Sequence, residues 1–194
     1  MSHVIHHTPA LILKTKNMRE SNKLLVLYTK QFGLIYVSTQ SIRELKSKMR
    51  FHTHALSLVD VDVVEGRDIW KLTGIHEHLS SLPFAGTLAF SMLQRLSTFI
   101  MRLSSGEEYH DRIWEDIQNV YRYVQEHPHE NKETYHHIEI VFLIRLLNHL
   151  GYWEGNEDFL LTSYPFTRDI FEVIDSNHSY FIQRINLGIQ NSQL

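Results

Sequence analysis

The chain has 194 residues, of which 43% are hydrophobic and 21% are charged, and this composition suits one large globular domain or two small ones. It contains no cysteine, which excludes disulfides, thiol nucleophiles and cysteine-based zinc sites. No apolar run reaches the roughly 18 residues of a membrane span, and no signal-peptide pattern is present. We therefore expect a cytoplasmic protein that does not enter membranes.

The formal net charge of −3 hides an uneven distribution. Residues 1–75 contain 11 Lys and Arg against 6 Asp and Glu, whereas residues 76–194 contain 8 against 16. This split predicts an N-terminal unit that faces nucleic acid and an acidic unit that acts as a scaffold or binds proteins.

Five segments of alternating or continuous apolar character predict five strands within residues 1–78. They are Thr8 to Lys16, Lys23 to Thr29, Leu34 to Gln40, Leu56 to Val64 and Ile69 to Ile75. Strict alternation puts Lys14 and Lys16 on one face together with Ile12, and it turns Tyr36 outward. The Glu65-Gly66 turn is expected to use a positive φ at glycine. Five short antiparallel strands favour a small closed barrel such as the OB fold, because closure removes exposed edges.

Residues 79–194 change to an apolar period of three to four, which predicts an α-helical domain. The stripes fall on Leu88 to Leu103, Ile113 to Val124, Lys132 to Leu150, and two short segments that follow Thr167 and Ser176 or Asn177. The third stripe is apolar on nearly every side, so we expect it to be the central helix of a bundle, ended by Gly151. Ser105 and Glu108 have the spacing of a capping box for the second helix. The predicted fold class is thus α+β.

The segment from Ser41 to Arg50, called the basic connector below, joins two predicted strands. Its four cations are Arg43, Lys46, Lys48 and Arg50, and Glu44 is its acid. A loop this positive inside an acidic protein is most simply explained by contact with a polyanion. The alternative is a solvated surface loop, which is the usual role of a charge run.

The sequence contains no recognisable catalytic or metal-binding constellation. Fourteen histidines include the His-x-His pairs 52/54, 76/78 and 127/129, but no pair has a third ligand at a diagnostic spacing. Glu133 and His136 have the Glu-x-x-His spacing of di-metal bundles, a chemistry that needs two such motifs and further carboxylates. Glycine loops for phosphates and Gly-x-Ser-x-Gly elbows are absent. We therefore expect a protein without catalytic activity, metal or other cofactor.

Five stretches occur in a characteristic order: residues 10–15 (ALILKT), 19–25 (RESNKLL), 27–33 (LYTKQFG), 42–50 (IRELKSKMR) and 146–152 (LLNHLGY). Together they resemble RecO, the family of bacterial recombination mediators. The resemblance implies an N-terminal OB fold followed by a helical domain. It also implies binding of single- and double-stranded DNA, annealing of complementary strands, and help in loading recombinase onto DNA covered by single-strand-binding protein.

The partners implied by the resemblance are RecR and the acidic C-terminal tail of single-strand-binding protein, and Arg145 is a candidate to meet the tail carboxylate. The chain departs from the family pattern at two places. Gln40-Ser41 replaces a basic residue and glycine ahead of the connector, and the short loop from Trp153 to Thr162 replaces the four-cysteine zinc module of many members.

An OB barrel binds single strands by running their backbone along a cationic groove and stacking their bases on aromatic rings. Candidate groove residues are Lys14, Lys16, Arg19, Lys23, Arg43, Lys46, Lys48, Arg50 and Lys71. Tyr36 is the candidate stacking platform, and a packed strand residue is its alternative role. Because no base-reading motif is present, we expect binding without sequence specificity. The alternative function is a non-enzymatic adaptor whose basic connector binds an acidic protein.

Overall fold

A computed structural model describes residues 4–18, 22–39, 53–104, 106–155, 160 and 166–192. Its contacts divide the chain into two compact units. The first unit is Met1–Ala85 together with a return segment, Ser104–Tyr109, and the second is Gly86–Leu103 with His110–Leu194. The sequence predicts a single division after residue 78. Such a division assigns the return segment to the helical unit, whereas its contacts assign it to the first unit.

The first unit is a closed five-stranded barrel in the order β1-β2-β3-β5-β4, which confirms the predicted OB-type architecture. The strands are β1 (Ile5–Met18), β2 (Asn22–Thr29), β3 (Gly33–Thr39), β4 (Leu58–Val64) and β5 (Trp70–Leu79). Strand β1 pairs antiparallel with both β2 and β4, while β3 pairs in parallel with β5. Both β1 and β5 are longer than their apolar segments predict.

The barrel interior is filled by alternate residues of each strand, as the period of two requires. On β3, Ile35 and Val37 are buried while Tyr36 between them is 52% exposed. On β4, Val59, Val61 and Val63 belong to the same core cluster. These inward and outward assignments were all predicted from the alternation, and the structure confirms them.

A β-bulge in β1 corrects the predicted faces of that strand. Ile12 lies opposite Leu27 in β2, but the next paired residue is Lys14, opposite Val26, so Leu13 is an additional residue in the ladder. Ile12 therefore points into the barrel core, whereas Lys14 is exposed on the outside. Strict alternation would have buried Lys14 beside Ile12, because it cannot foresee the extra residue of a bulge.

The return segment packs on the barrel through contacts that require glycine at the start of β3. Gly33 has a φ of +62°, and a Cβ on it would lie 2.1 Å from the backbone oxygen of Glu108. Trp70 Nε1 donates a hydrogen bond to Glu107 Oε1 over 2.8 Å. Burial and then the Glu108 carboxylate raise the pKa of Tyr28. By contrast Gly66 does not have the predicted positive φ, and glycine is needed there because a Cβ would lie 2.0 Å from the Ile69 oxygen.

The second unit is a helical bundle. Its helices are α1 (Leu88–Leu103), α2 (Asp111–Glu126), α3 (Lys132–His149), α4 (Arg168–Ser176) and α5 (His178–Asn191). Helix α3 contacts each of the other four, which confirms its predicted central position. Within the described ranges, none of the helices combines the length and the apolar character needed to span a bilayer.

Most of the predicted helix boundaries agree with the structure, because Thr167 and Asn177 are the N-cap residues of α4 and α5. Gly151 has a φ of +77° just beyond the end of α3, as expected for a residue that ends a helix. The capping box at Ser105 and Glu108 is wrong, because α2 begins at Asp111 after His110 and Glu108 belongs to the return segment. Contact of that segment with the barrel overrides the local capping signal.

Replacing Gly33 by alanine should therefore destabilise the protein far more than replacing Gly86, which has a similar φ of +79° but open space around it. G86A should cost about 1 kcal/mol for the backbone conformation alone, and G33A about 3 kcal/mol or more because the new methyl group also displaces residue 108. Urea unfolding of both variants measures the difference. Equal losses would show that the close approach to Glu108 does not matter to stability.

Candidate nucleic-acid interface

Cross-strand registers bring four of the predicted DNA-binding residues onto one outer surface of the barrel, called the lysine face below. One row of directly opposite residues runs from Lys14 through Val26 to Tyr36. The neighbouring row runs from Lys16 through Leu24 and Ser38 to Lys71. Because neighbouring strands are about 4.8 Å apart, the second row spans about 14 Å from lysine to lysine. Tyr36 thus lies between cations that come from two different strands.

The outer surface of β4, elsewhere on the barrel, carries the opposite charge. Asp60 and Asp62 point outward from β4 and contact histidines of the neighbouring strands. His7 Nδ1 lies 2.5 Å from Asp62 Oδ1, and His78 Nε2 lies 2.5 Å from Asp60 Oδ2. Neither the lysines of the lysine face nor the two aspartates of β4 are buried. The lysine face would therefore attract the phosphates of an approaching nucleic acid, and β4 would repel them.

A cleft of about 260 Å³ adjoins Tyr36. Its rim carries three carboxylates and one guanidinium, from Glu65, Asp68, Glu107 and Arg67. Trp70 lies in its wall and holds Glu107 by the hydrogen bond described above. The acidic rim disfavours phosphates on this side of the tyrosine ring. A strand using Tyr36 would therefore keep its backbone on the lysine side of the ring.

Lys23 is not on the lysine face. It lies opposite Thr39, which is buried, and its Nζ donates to Thr53 Oγ1 over 3.0 Å. The Lys23 backbone N–H donates to Thr39 Oγ1 over 2.9 Å, and Thr39 Oγ1 donates to the Lys23 carbonyl over 3.0 Å. Thr39 and Thr53 flank residues 40–52, which include the basic connector. Lys23 thus links the two residues on either side of that segment through hydrogen bonds.

Five predicted DNA-binding residues lie outside the described part of the chain. They are Arg19, Arg43, Lys46, Lys48 and Arg50. Their proposed contacts remain predictions from the sequence.

The comparisons with known proteins bear on this barrel first. Residues 1–77 match the family model described as recombination protein O N terminal. The DNA repair protein RecO of Azobacteroides pseudotrichonymphae is 23% identical over 186 residues, which cover 92% of this chain and 75% of that protein. The protein of the same name from Dehalococcoides mccartyi is 30% identical over 86 residues, 44% of this chain and 34% of the relative.

The N-terminal part of the chain thus matches the RecO N-terminal model, and the chain as a whole is similar to RecO proteins. The family model covers the barrel except for the last two residues of β5, and the longer of the two alignments continues through the helical unit.

Arg145, the residue predicted to meet a partner carboxylate, lies inside the helical unit. It is 2% exposed. Its Nε donates to the Leu160 oxygen over 2.8 Å, and Nη1 donates to Asp116 Oδ1 over 3.2 Å. His149 Nε2 lies 2.9 Å from the other Asp116 oxygen. Arg145 therefore ties α3 to α2 and to Leu160, and its charge is matched by a buried aspartate rather than presented to a partner.

One cluster of potential metal ligands was missed by the sequence-based reasoning. Glu133, His137 and Asp175 each offer a ligand atom, and these atoms lie within 4.8 Å of one another. The signal in the sequence is the spacing of four between Glu133 and His137, which puts both on one helix face. The third member comes from α4, 38 residues away from His137, so no local motif contains it.

Removing the carboxylate of Asp116 should strongly destabilise the helical unit, because it removes a buried acid that pairs with the buried Arg145 charge. D116A should cost about 3–5 kcal/mol in free energy of unfolding. The matched control is E172A, which removes the partner of Arg168 from an ion pair that is exposed on both sides and should cost less than about 1 kcal/mol. Chemical denaturation checks both values. Similar losses in the two variants would contradict the structural role of the Arg145 network.

Proposed function

We propose that this chain, like the RecO proteins it resembles, is a DNA-binding recombination mediator that acts by binding rather than by catalysis. The observation that carries the proposal is the lysine face. Lys14, Lys16 and Lys71 lie on the same outer surface of an OB-type barrel as the exposed ring of Tyr36. Cations for phosphates beside an aromatic platform for bases are what a barrel needs to bind single-stranded DNA.

The charge distribution around the barrel supports one orientation of the strand. Its phosphates would follow the lysines, and one base would lie on Tyr36. The carboxylates of the adjoining cleft and of β4 would keep the backbone from the rest of the surface. Lysine contacts to phosphates and ring stacking carry no base-specific information, so binding should be indifferent to sequence.

The basic connector would extend this surface. Lys23 hydrogen-bonds to Thr39, the last residue of β3, and to Thr53, and these two threonines flank the segment that contains the connector. We propose that its four cations add phosphate contacts on single- and double-stranded DNA. Neutralising the phosphates of two complementary strands would also lower their mutual repulsion, which is the physical basis for annealing them.

The mediator role needs protein partners, and we propose RecR and the C-terminal tail of single-strand-binding protein on the basis of the resemblance to RecO. Arg145 does not supply an accessible cation for the tail. A strand-annealing assay tests the role directly. It compares complementary single strands of bare DNA with the same strands covered by single-strand-binding protein. Annealing only of bare DNA would contradict the mediator role and leave DNA binding intact.

Replacing Arg43, Lys46, Lys48 and Arg50 together by alanine should weaken binding to single-stranded DNA and flatten its salt dependence. Each lost phosphate contact removes about 0.7 from the slope of log affinity against log salt, so the slope should fall by about 3. We expect the fold to survive, because the four substitutions change no residue of the described barrel. Fluorescence anisotropy at several salt concentrations measures the slope.

A matched control removes four exposed cations from the helical unit, Arg112, Arg122, Lys132 and Arg168. It changes the net charge equally and should leave the slope nearly unaltered. A connector variant with the wild-type slope would confine DNA binding to the lysine face. Equal binding of polyglutamate and DNA by the unmodified protein would instead support the adaptor function.

Replacing Tyr36 by leucine should weaken binding by about 1–3 kcal/mol, the value of stacking one base on one ring. The salt slope should not change, because no phosphate contact is lost. Tyr180 is 40% exposed in the helical unit, so Y180L is the matched control and should bind DNA normally. Wild-type affinity in Y36L would assign the exposed ring to another role.

A further inference from the structure

The start of α3 and the end of α4 bring together three side chains that have no role in the proposed DNA binding. Glu133 and His137 lie one turn apart on α3, and Asp175 is the penultimate residue of α4. One imidazole nitrogen and two carboxylate oxygens converge there. This mixed nitrogen and oxygen set is one that divalent transition metals bind, zinc among them.

The separations of the three atoms suit a common ion. Tetrahedral zinc with bonds of about 2.0–2.1 Å places its ligand atoms about 3.3 Å apart. His137 Nε2 lies 2.6 Å from Asp175 Oδ1, and no pair in the cluster is farther apart than 4.8 Å. The required spacing lies between these values, so small rotations of the two exposed carboxylates would reach it.

The histidine of the cluster is already held in position. His137 is 5% exposed, and its ring stacks on Phe171 with centroids 5.1 Å apart and planes at 27°. Packing therefore fixes the direction of the imidazole before any ion arrives, which lowers the entropic cost of binding. Asp175 has 54% of its side chain exposed, which leaves the cluster open to solvent for entry of an ion.

The charge balance also favours a cation. Glu133 and Asp175 are two acids near each other, and among the described residues no lysine or arginine forms an ion pair with either of them. Arg95, Arg168 and Arg184 each pair with other acids of this unit. The only contact of the Asp175 carboxylate with a basic group is the one with His137, so within the described part of the chain the cluster lacks a permanent positive charge.

We propose that Glu133, His137 and Asp175 form a zinc site that joins α3 to α4 and keeps its fourth position open to water. Three protein ligands and a free position are a common arrangement for zinc in proteins. The ion would link segments far apart in the sequence and so stabilise the folded helical unit. This inference does not depend on the proposed DNA binding.

Titrating zinc sulfate into the full chain, stripped of metal, in the presence of a competing chromophoric chelator tests the site. The competitor suppresses weak binding by scattered histidines. We expect one tight zinc per chain and a thermal transition that rises with zinc. E133Q and D175N should each weaken zinc binding at least about tenfold. Substitution of a residue that only supports a ligand already causes a loss of this size, so loss of a ligand should cost no less.

The matched control is E172Q. Glu172 lies on α4 one turn before Asp175 and pairs with Arg168, so this variant also removes one acidic charge from α4. Its zinc affinity should equal that of the unmodified protein. A rival pair exists at His136 and His178, whose Nε2 atoms are 3.2 Å apart. Zinc binding that is lost in H178Q but kept in both carboxylate variants would overturn the proposal. Absence of tight binding would also overturn it and reduce the cluster to a hydrogen-bonded histidine and aspartate.

Discussion

The double pairing of β1 is the constraint on which the rest of the first unit depends. One strand of 14 residues must pair with β4 through its first half and with β2 through its second half. A regular strand cannot serve both neighbours without a local change of direction, and the bulge at Leu13 provides it. The same extra residue turns Lys14 out of the core. Barrel closure and the position of the first cation on the lysine face therefore have a single structural cause.

The barrel separates charges that the sequence mixes along the chain. Lys14 and Lys16 share β1 with His7, yet they lie at opposite ends of that strand and face different neighbours. In the closed strand order, rows of paired residues connect the lysines through β2 to β3 and β5, whereas His7 contacts Asp62 of β4. A net positive unit thus acquires one cationic side and one acidic side. Such an arrangement orients a polyanion as well as attracting it.

The helical unit depends on α3, whose sides are nearly all buried, and its polar side chains must therefore be matched internally. Asp116 and His149 accommodate Arg145, while Arg95 Nε contacts both oxygens of the buried Glu139 carboxylate at 2.8 and 2.9 Å. Burial of such groups without partners would cost several kcal/mol each. The cluster at Glu133, His137 and Asp175 differs from these networks in having two acids and no permanent cation among the described residues.

Local periodicity determined most of this architecture, because burial of one face imposes a period of two on strands and of about 3.6 on helices. Five strands, the outward Tyr36 and the central α3 were all predictable on that ground, and the ordered stretches indicated the RecO family. Tertiary contacts decided the rest. The bulge at Leu13, the return segment against Gly33, and the tie of Lys23 to Thr39 and Thr53 depend on residues distant in sequence. Arg145 looked available because its partner Asp116 is on another helix. The cluster of potential metal ligands was not predicted because its third member comes from α4, and a spacing rule compares only residues that are near each other in the sequence.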